Sequence, residues 1–269
     1  MFSAYFDASG FEQQEFVSVA GFIANVGVWK DFEQAWLKRL SDEKLFGKDG
    51  TPEFHMAECA NCTYDYEQYR TNEQKRQILL RDLTKILSGL GRKVGCVLNV
   101  NQFRSQLDPD VRSQFDLPAA YILAGRACAA RVKEWCWIDG SPPLAQVQFF
   151  FERGDGKEIQ SALYRRLEED GYPTPQFKSK RNRYSKSKEL IEQGLAPFQA
   201  ADVLAYLFRL NAKYEGQDWR DKESIRWMLD ELSPIPEPPV SVNANLLGLN
   251  IYLRAAGVNL LGRAGAISS

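Results

Sequence analysis

The chain has 269 residues, enough for one large domain or one domain with a small appendage. Its hydrophobic fraction of 44% supplies a packed core, its mean hydropathy is -0.39, and its formal net charge is only -1. This excludes a helix-spanned membrane protein, since no apolar run approaches the roughly 20 residues a bilayer requires, and it excludes a wholly basic nucleic-acid binder, so any phosphate-contacting surface must come from local clusters of Lys and Arg.

The N-terminus has no basic segment followed by an apolar stretch, so no signal peptide is expected. Five cysteines scattered through apolar context point to reduced thiols in a cytoplasmic compartment.

The first element is a short apolar strand, Phe2-Ser3-Ala4-Tyr5-Phe6, that runs into Asp7-Ala8-Ser9-Gly10. A strand ending in Asp, followed by small residues and Gly, places a carboxylate at the exposed end of a sheet. Residues 15–24 read as a second strand, close enough in sequence to form a hairpin with the first. Trp29, Phe32, Trp36, Leu37 and Leu40 then recur at helical spacing, and Gly47-Lys48-Asp49-Gly50 breaks the pattern. Glu53 to Glu58 falls on a loop or a helix start.

Residues 71–90 predict an amphipathic helix with Thr71 as N-cap and Gln74 three positions on. A strand over 93–100 follows, then a long helix over 117–137 stopped by Gly140-Ser141-Pro142-Pro143. Residues 144–151 read as a buried strand ending at Glu152, residues 157–170 as a helix, and 174–177 as a short strand. Pro197 suits the first turn of a helix that runs to Tyr214. Strands and helices in this order predict an α/β architecture, a mixed sheet flanked by helices. Ser233-Pro234-Ile235-Pro236-Glu237-Pro238-Pro239 is the one linker-like run. The expected division is a catalytic domain over 1–214 and a C-terminal extension over 215–269.

Four acids sit in unusual company. Asp7 ends the first strand, Glu53 lies between Pro52 and Phe54-His55, Glu152 ends the most apolar strand, and Asp202 interrupts the apolar helix Phe198-Gln199-Ala200-Ala201-Asp202-Val203-Leu204-Ala205. If they converge they repel, at roughly 3 kcal/mol per pair for about 5 Å and an effective dielectric near 20. Such a cluster persists only when protons or cations neutralise it. All-oxygen ligands suit Mg²⁺ or Mn²⁺, and one or two such ions would activate water against a phosphodiester.

Asp7-Ala8-Ser9-Gly10, Glu53-Phe54-His55 and Phe198-Gln199-Ala200-Ala201-Asp202 together resemble the three signature blocks of the domain of unknown function 3800 family. The match runs over roughly residues 2–210 in the right order. Members are regarded as having a ribonuclease-H-like fold and occur mainly in bacteria, phages and mobile elements. The resemblance implies a ribonuclease-H-like mixed sheet. It also implies Asp7 as the first-strand metal ligand, Glu53 as the second acid and Asp202 as the helix-borne acid, with Gln199 matching the family's glutamine. The chain carries Ala8 where the family has Glu, and Glu152 where it has Asp at a strand end. Asp155 is the substitute for Glu152.

Lys178, Lys180, Arg181, Arg183, Lys186 and Lys188 lie within eleven residues, interleaved with Ser179, Asn182, Tyr184 and Ser185. Lys and Arg neutralise phosphates and Tyr184 can stack on a base. With Ser9, these residues are the candidate contacts to a DNA or RNA partner; the alternative for the basic run is a solvated loop. His55, the sole histidine, is a candidate proton shuttle or water-positioning group beside Glu53, or a packed side chain. No Gly-x-Ser-x-Gly elbow is present. His55, Cys59 and Cys62 form an H-x₃-C-x₂-C string that lacks a fourth zinc ligand. The expected activity is divalent-metal-dependent phosphodiester hydrolysis. Its rivals are a catalytically inactive protein that binds nucleic acid or a partner in a defence or mobile-element system, and a metal-free two-carboxylate glycosidase.

Overall fold

The computed structural model describes residues 1–10, 15–105, 117–138, 140–153, 157–185, 190–214 and 223–235. Strands β1 (Phe2–Ser9) and β2 (Phe16–Asn25) pair antiparallel, and β2 pairs antiparallel with β3 (Arg92–Asn99). On the other side of β1, strands β4 (Val147–Glu152) and β5 (Gln176–Lys178) add in parallel. The order is β3-β2-β1-β4-β5, a mixed five-stranded sheet.

Helices cover both faces. On one face lie α1 (Val26–Glu43), α2 (Met56–Asn61), α3 (Glu73–Leu87), α7 (Pro197–Lys213) and α8 (Glu223–Leu232), packed with Ala20, Phe22 and Ala24 of β2. On the other lie α4 (Val100–Ser105), α5 (Leu117–Trp135) and α6 (Lys157–Glu169), packed with Ala4, Phe6, Phe149 and Phe151. The last short pair, β6 (Arg183–Tyr184) and β7 (Leu190–Glu192), forms a separate antiparallel hairpin.

The period-two alternation of strands decides where the acids go. Ala4 and Phe6 point to the α5 face, so Tyr5 and Asp7 point to the α7 face. The same reasoning puts Phe150 and Glu152 on the α7 face, and the rings of Tyr5 and Phe150 stack there at 4.6 Å. The register pairs Phe6 with Phe151, so Asp7 and Glu152 follow side by side where the two parallel strands end.

Most elements lie where the sequence places them. The helix over 71–90 differs in its cap: Asn72, not Thr71, is the N-cap, and its side chain accepts from the Lys75 amide at 3.0 Å. The strand expected from Leu144 starts at Val147, because Leu144–Gln146 form a 3₁₀ turn after the Pro142-Pro143 pair. The helix expected to reach Trp137 ends at Trp135. Helix α8 falls within the expected C-terminal extension, and its Ile225, Met228 and Leu232 join the same buried cluster as α3 and α7. Among the described residues no helix is long and apolar enough to cross a membrane.

Gly21 marks the tightest approach in the sheet. A methyl built on it would overlap the backbone carbonyl of Tyr5, two residues before Asp7. Gly21→Ala is therefore expected to lower stability by about 1–3 kcal/mol, as overpacking does. Urea unfolding checks this, and an unchanged midpoint would show that β1 and β2 can separate without loss.

Candidate active site

Helix α7 carries the second acid to the first. Every residue from Pro197 to Leu207 is buried, because the helix lies flat across β1 and β2. An apolar helix enclosed on this scale accepts a carboxylate only if its charge is met. Asp202 is 9% exposed, and both of its oxygens have partners. Oδ2 accepts from the Met56 amide, the first of α2, at 2.8 Å. Oδ1 lies 3.5 Å from Lys180 Nζ.

Asp7 mirrors it. Its Oδ1 accepts from the Ala8 amide at 2.7 Å, and its Oδ2 accepts from Lys180 Nζ at 2.9 Å. Burial pushes the Asp7 carboxyl up; Lys180 opposes this, while the nearby Asp202 and Glu152 charges add to it, and the outcome is a pKa of about 6. Glu152 stands at the same strand ends, where its Oε1 accepts from the Lys180 amide at 3.4 Å. Burial would lower the Lys180 pKa, but Asp202, Asp7 and Glu152 outweigh it and raise it, so the ammonium stays charged.

Glu53 belongs to an adjoining cluster. His55 Nε2 lies 2.5 Å from Glu53 Oε1, and Arg181 Nη2 lies 2.6 Å from the same ring nitrogen. Arg181 Nε also donates to Glu53 Oε1. The ring nitrogen donates to Glu53 or accepts from Arg181, one at a time. Burial alone would raise the Glu53 pKa, but the His55 and Arg181 hydrogen bonds outweigh it and hold the carboxyl below its usual range. His55 joins the two clusters, because its Nδ1 is 3.9 Å from Asp202 Oδ2.

The loop bearing Glu53 is held from beneath. Gln199, 3% exposed on α7, accepts through Oε1 from Trp36 Nε1 at 2.8 Å and from the Phe54 amide at 3.0 Å. Aromatic contacts run from Trp29 through Phe32, Trp36 and Phe54 to Tyr66, with ring centroids 5.2–5.8 Å apart. Each such pair adds about 0.5–1.5 kcal/mol beyond its buried area. The loop is thus fastened to the core on both sides of the acid.

The structure therefore brings Asp7 and Asp202 together around one ammonium, with Glu152 on the backbone amide of the same lysine and Glu53 and His55 beside them. The basic run divides. Lys180 and Arg181 turn to the acids, and Lys178 Nζ lies 3.9 Å from Glu192 Oε1. Arg183 and Tyr184 form β6, their side chains outside the described residues, as are Asp155, Lys186 and Lys188. Ser9 Oγ accepts from Arg209 Nε at 2.9 Å. Arg209 is a basic residue near the site that the sequence reading missed. Its spacing of seven from Asp202, two helical turns on one face, was the available signal.

All five cysteines are free thiols, and Cys62 Sγ faces Arg76 Nη1 at 3.4 Å. Among the described residues, no three His, Cys, Asp or Glu side chains meet in metal-holding geometry. What the site offers a divalent ion is a pair of carboxylates. Asp7 Oδ2 and Asp202 Oδ1 converge on one cationic atom, and an oxygen pair of this kind fits a Mg²⁺ that keeps several waters.

No protein-family model matches the chain, and no curated protein matches it.

Proposed function

We propose that the protein is a divalent-metal-dependent nuclease that hydrolyses phosphodiester bonds of nucleic acid. One observation carries this reading: the buried Asp7 of β1 and Asp202 of α7 and the half-buried Glu152 of β4, remote in sequence, converge where the parallel pairing of β1 and β4 ends. In open α/β sheets that edge is where ligands bind. The ribonuclease-H-like reading of the sheet belongs to the same proposal. Its support is a mixed five-stranded sheet, helices on both faces, and the three resembling sequence blocks brought to one place.

When bound, Mg²⁺ or Mn²⁺ supplies Lewis-acid activation of water and of the phosphodiester. Asp7 and Asp202 would hold it through Oδ2 and Oδ1. Their second oxygens are already taken by the Ala8 and Met56 amides, which fix both carboxylates in place. The Glu53–His55 pair can hold or move a proton beside them. Lys180 and Arg181 offset the carboxylate charge that would otherwise repel a phosphate.

Incubation of the chain with single- and double-stranded DNA and RNA tests this directly. Cleavage is expected with Mn²⁺ and none with EDTA. Cleavage untouched by EDTA would point to metal-free chemistry instead. One observation favours the binding-only reading: the Lys180 ammonium already stands between Asp7 Oδ2 and Asp202 Oδ1 and offsets part of their charge. Salt-dependent binding without cleavage in Mn²⁺ would replace the nuclease reading with that one.

A further inference from the structure

The two basic side chains at the site are held in different ways. Lys180 is only 18% exposed and stands between two carboxylates. Arg181 is 55% exposed, whereas the Glu53 and His55 side chains it meets are 12% and 14% exposed. Arg181 is therefore the side chain with room to swing toward solvent.

Its backbone stays where it is. The Arg181 amide donates to Ser179 Oγ at 3.1 Å, and the Leu195 amide donates to the Ser179 carbonyl at 3.0 Å. One residue on, the Gly194 amide donates to Asn182 Oδ1 at 2.7 Å. A methyl added to Gly194 would stand 2.6–2.8 Å from backbone atoms of Lys180, Arg181 and Asn182, so the two segments lie this close only with glycine there. Arg181 is a long, exposed side chain on a fixed pivot.

The guanidinium meets the pair through one edge. Its Nε donates to Glu53 Oε1, and its Nη2 lies 2.6 Å from His55 Nε2. That ring nitrogen also lies 2.5 Å from the same Oε1. In a neutral ring it accepts from Arg181 or donates to Glu53, so the arginine competes with the carboxylate for one atom of His55. The guanidinium makes one carboxylate bond here, although its edge is built for two in parallel. A phosphodiester offers two unbridged oxygens and takes that whole edge. Breaking the present contact costs little, because water screens an ion pair this exposed. Glu53 and His55 have other anchors: Gln199 holds the Phe54 amide between them, and the His55 amide donates to Tyr66 Oη at 3.0 Å.

We propose that Arg181 covers the Glu53–His55 pair in the free protein and is drawn off it by a backbone phosphate of nucleic acid, which leaves His55 Nε2 to Glu53 alone. The inference rests on the nucleic-acid substrate of the reading above. It makes Arg181 both a phosphate contact and the group through which an arriving strand acts on the pair. Lys180, enclosed between Asp7 and Asp202, does not move with it.

His55 is the sole histidine, so its imidazole gives one unambiguous pair of ¹⁵N resonances. The test titrates the full chain in EDTA, at one fixed pH, with short DNA and RNA oligonucleotides, with inorganic phosphate, and with sodium chloride at matched ionic strength. The anisotropy of a labelled oligonucleotide reports binding. On the wild type, a bound oligonucleotide is expected to move Nε2 from the acceptor to the donor position, and chloride to leave it unmoved. In Arg181→Gln, Nε2 is expected at the donor position before any addition, and to stay there. Bound oligonucleotide with Nε2 unmoved would overturn the inference, as would an equal response to chloride or a wild-type response in folded Arg181→Gln. A response to inorganic phosphate and to neither oligonucleotide would make the ligand a free anion and overturn it too. The wild-type titration decides even if the variant fails to fold. None of these outcomes touches the metal-dependent reading, which the Mn²⁺ cleavage assay tests by itself. Conversely, the expected shift without cleavage in Mn²⁺ would remove the nuclease reading and keep Arg181 as the phosphate contact of a binding protein. No binding of DNA or RNA would overturn both.

Discussion

Asp7→Asn is expected to abolish cleavage and, at the same time, to stabilise the metal-free protein. The loss of activity follows from its place: Asp7 Oδ2 is one of two carboxylate oxygens that face a common cation. A fall of three orders of magnitude, roughly 4 kcal/mol of barrier, is the expected scale, and Asp202→Asn is expected to match it. The stability gain follows from burial. Asp7 is 6% exposed, and its pKa rises from the ordinary 3.8 to about 6. The folded state therefore holds the Asp7 proton more tightly than the unfolded chain does. That contribution to stability is complete below pH 3.8 and is lost as pH rises through about 6. A shift of this size corresponds to about 3 kcal/mol. Asn cannot ionise, so the variant avoids the loss. In EDTA at pH 8 it should be the more stable protein by up to about 3 kcal/mol, and the difference should close near pH 4. Urea unfolding at both pH values checks the sign. A variant less stable than wild type at pH 8 would mean that the Lys180–Asp7 attraction outweighs the desolvation of the carboxylate.

The acids were legible in the sequence because regular elements carry their own direction. A two-residue period tells which face of β1 Asp7 takes, and a charge within the apolar run of α7 has to be met by something. The direction of Lys180 and Arg181 was not legible in this way. They follow a three-residue strand, too short to establish a period, and a run of Lys and Arg reads as solvated or phosphate-facing wherever it occurs. Only the fold shows that the chain bends there to bring two of these side chains back to the carboxylates. The cap of α3 shows the same limit on a smaller scale. Thr71 and Asn72 are both good caps, and the choice between them is made by backbone geometry, not by composition. Gln199 lay in plain view as a polar residue in an apolar helix, yet its partners, Trp36 and Phe54, are remote in sequence.

Gln199→Leu is expected to be the most destabilising single change near the site, and to disable the site as well. Leu has nearly the volume of Gln, so no cavity opens and the helix propensity is unharmed. What disappears is the acceptor shared by Trp36 Nε1 and the Phe54 amide. Both donors are enclosed with no route to water, and each orphaned donor costs about 1–3 kcal/mol, so a total near 4 kcal/mol is the expected scale. The longer bond from Gln199 Nε2 to the Pro52 carbonyl, at 3.4 Å, is lost with them. Pro52 and Phe54 flank Glu53, so the same substitution frees the backbone on both sides of that carboxylate. His55, which lies between Glu53 and Asp202, loses its fixed partner in turn. Stability and activity can be separated by assaying Mn²⁺-dependent cleavage well below the variant's own unfolding midpoint. A folded Gln199→Leu protein that cleaves at the wild-type rate would show that Glu53 keeps its place through Arg181 and His55 alone, and that the glutamine serves the core without serving the site.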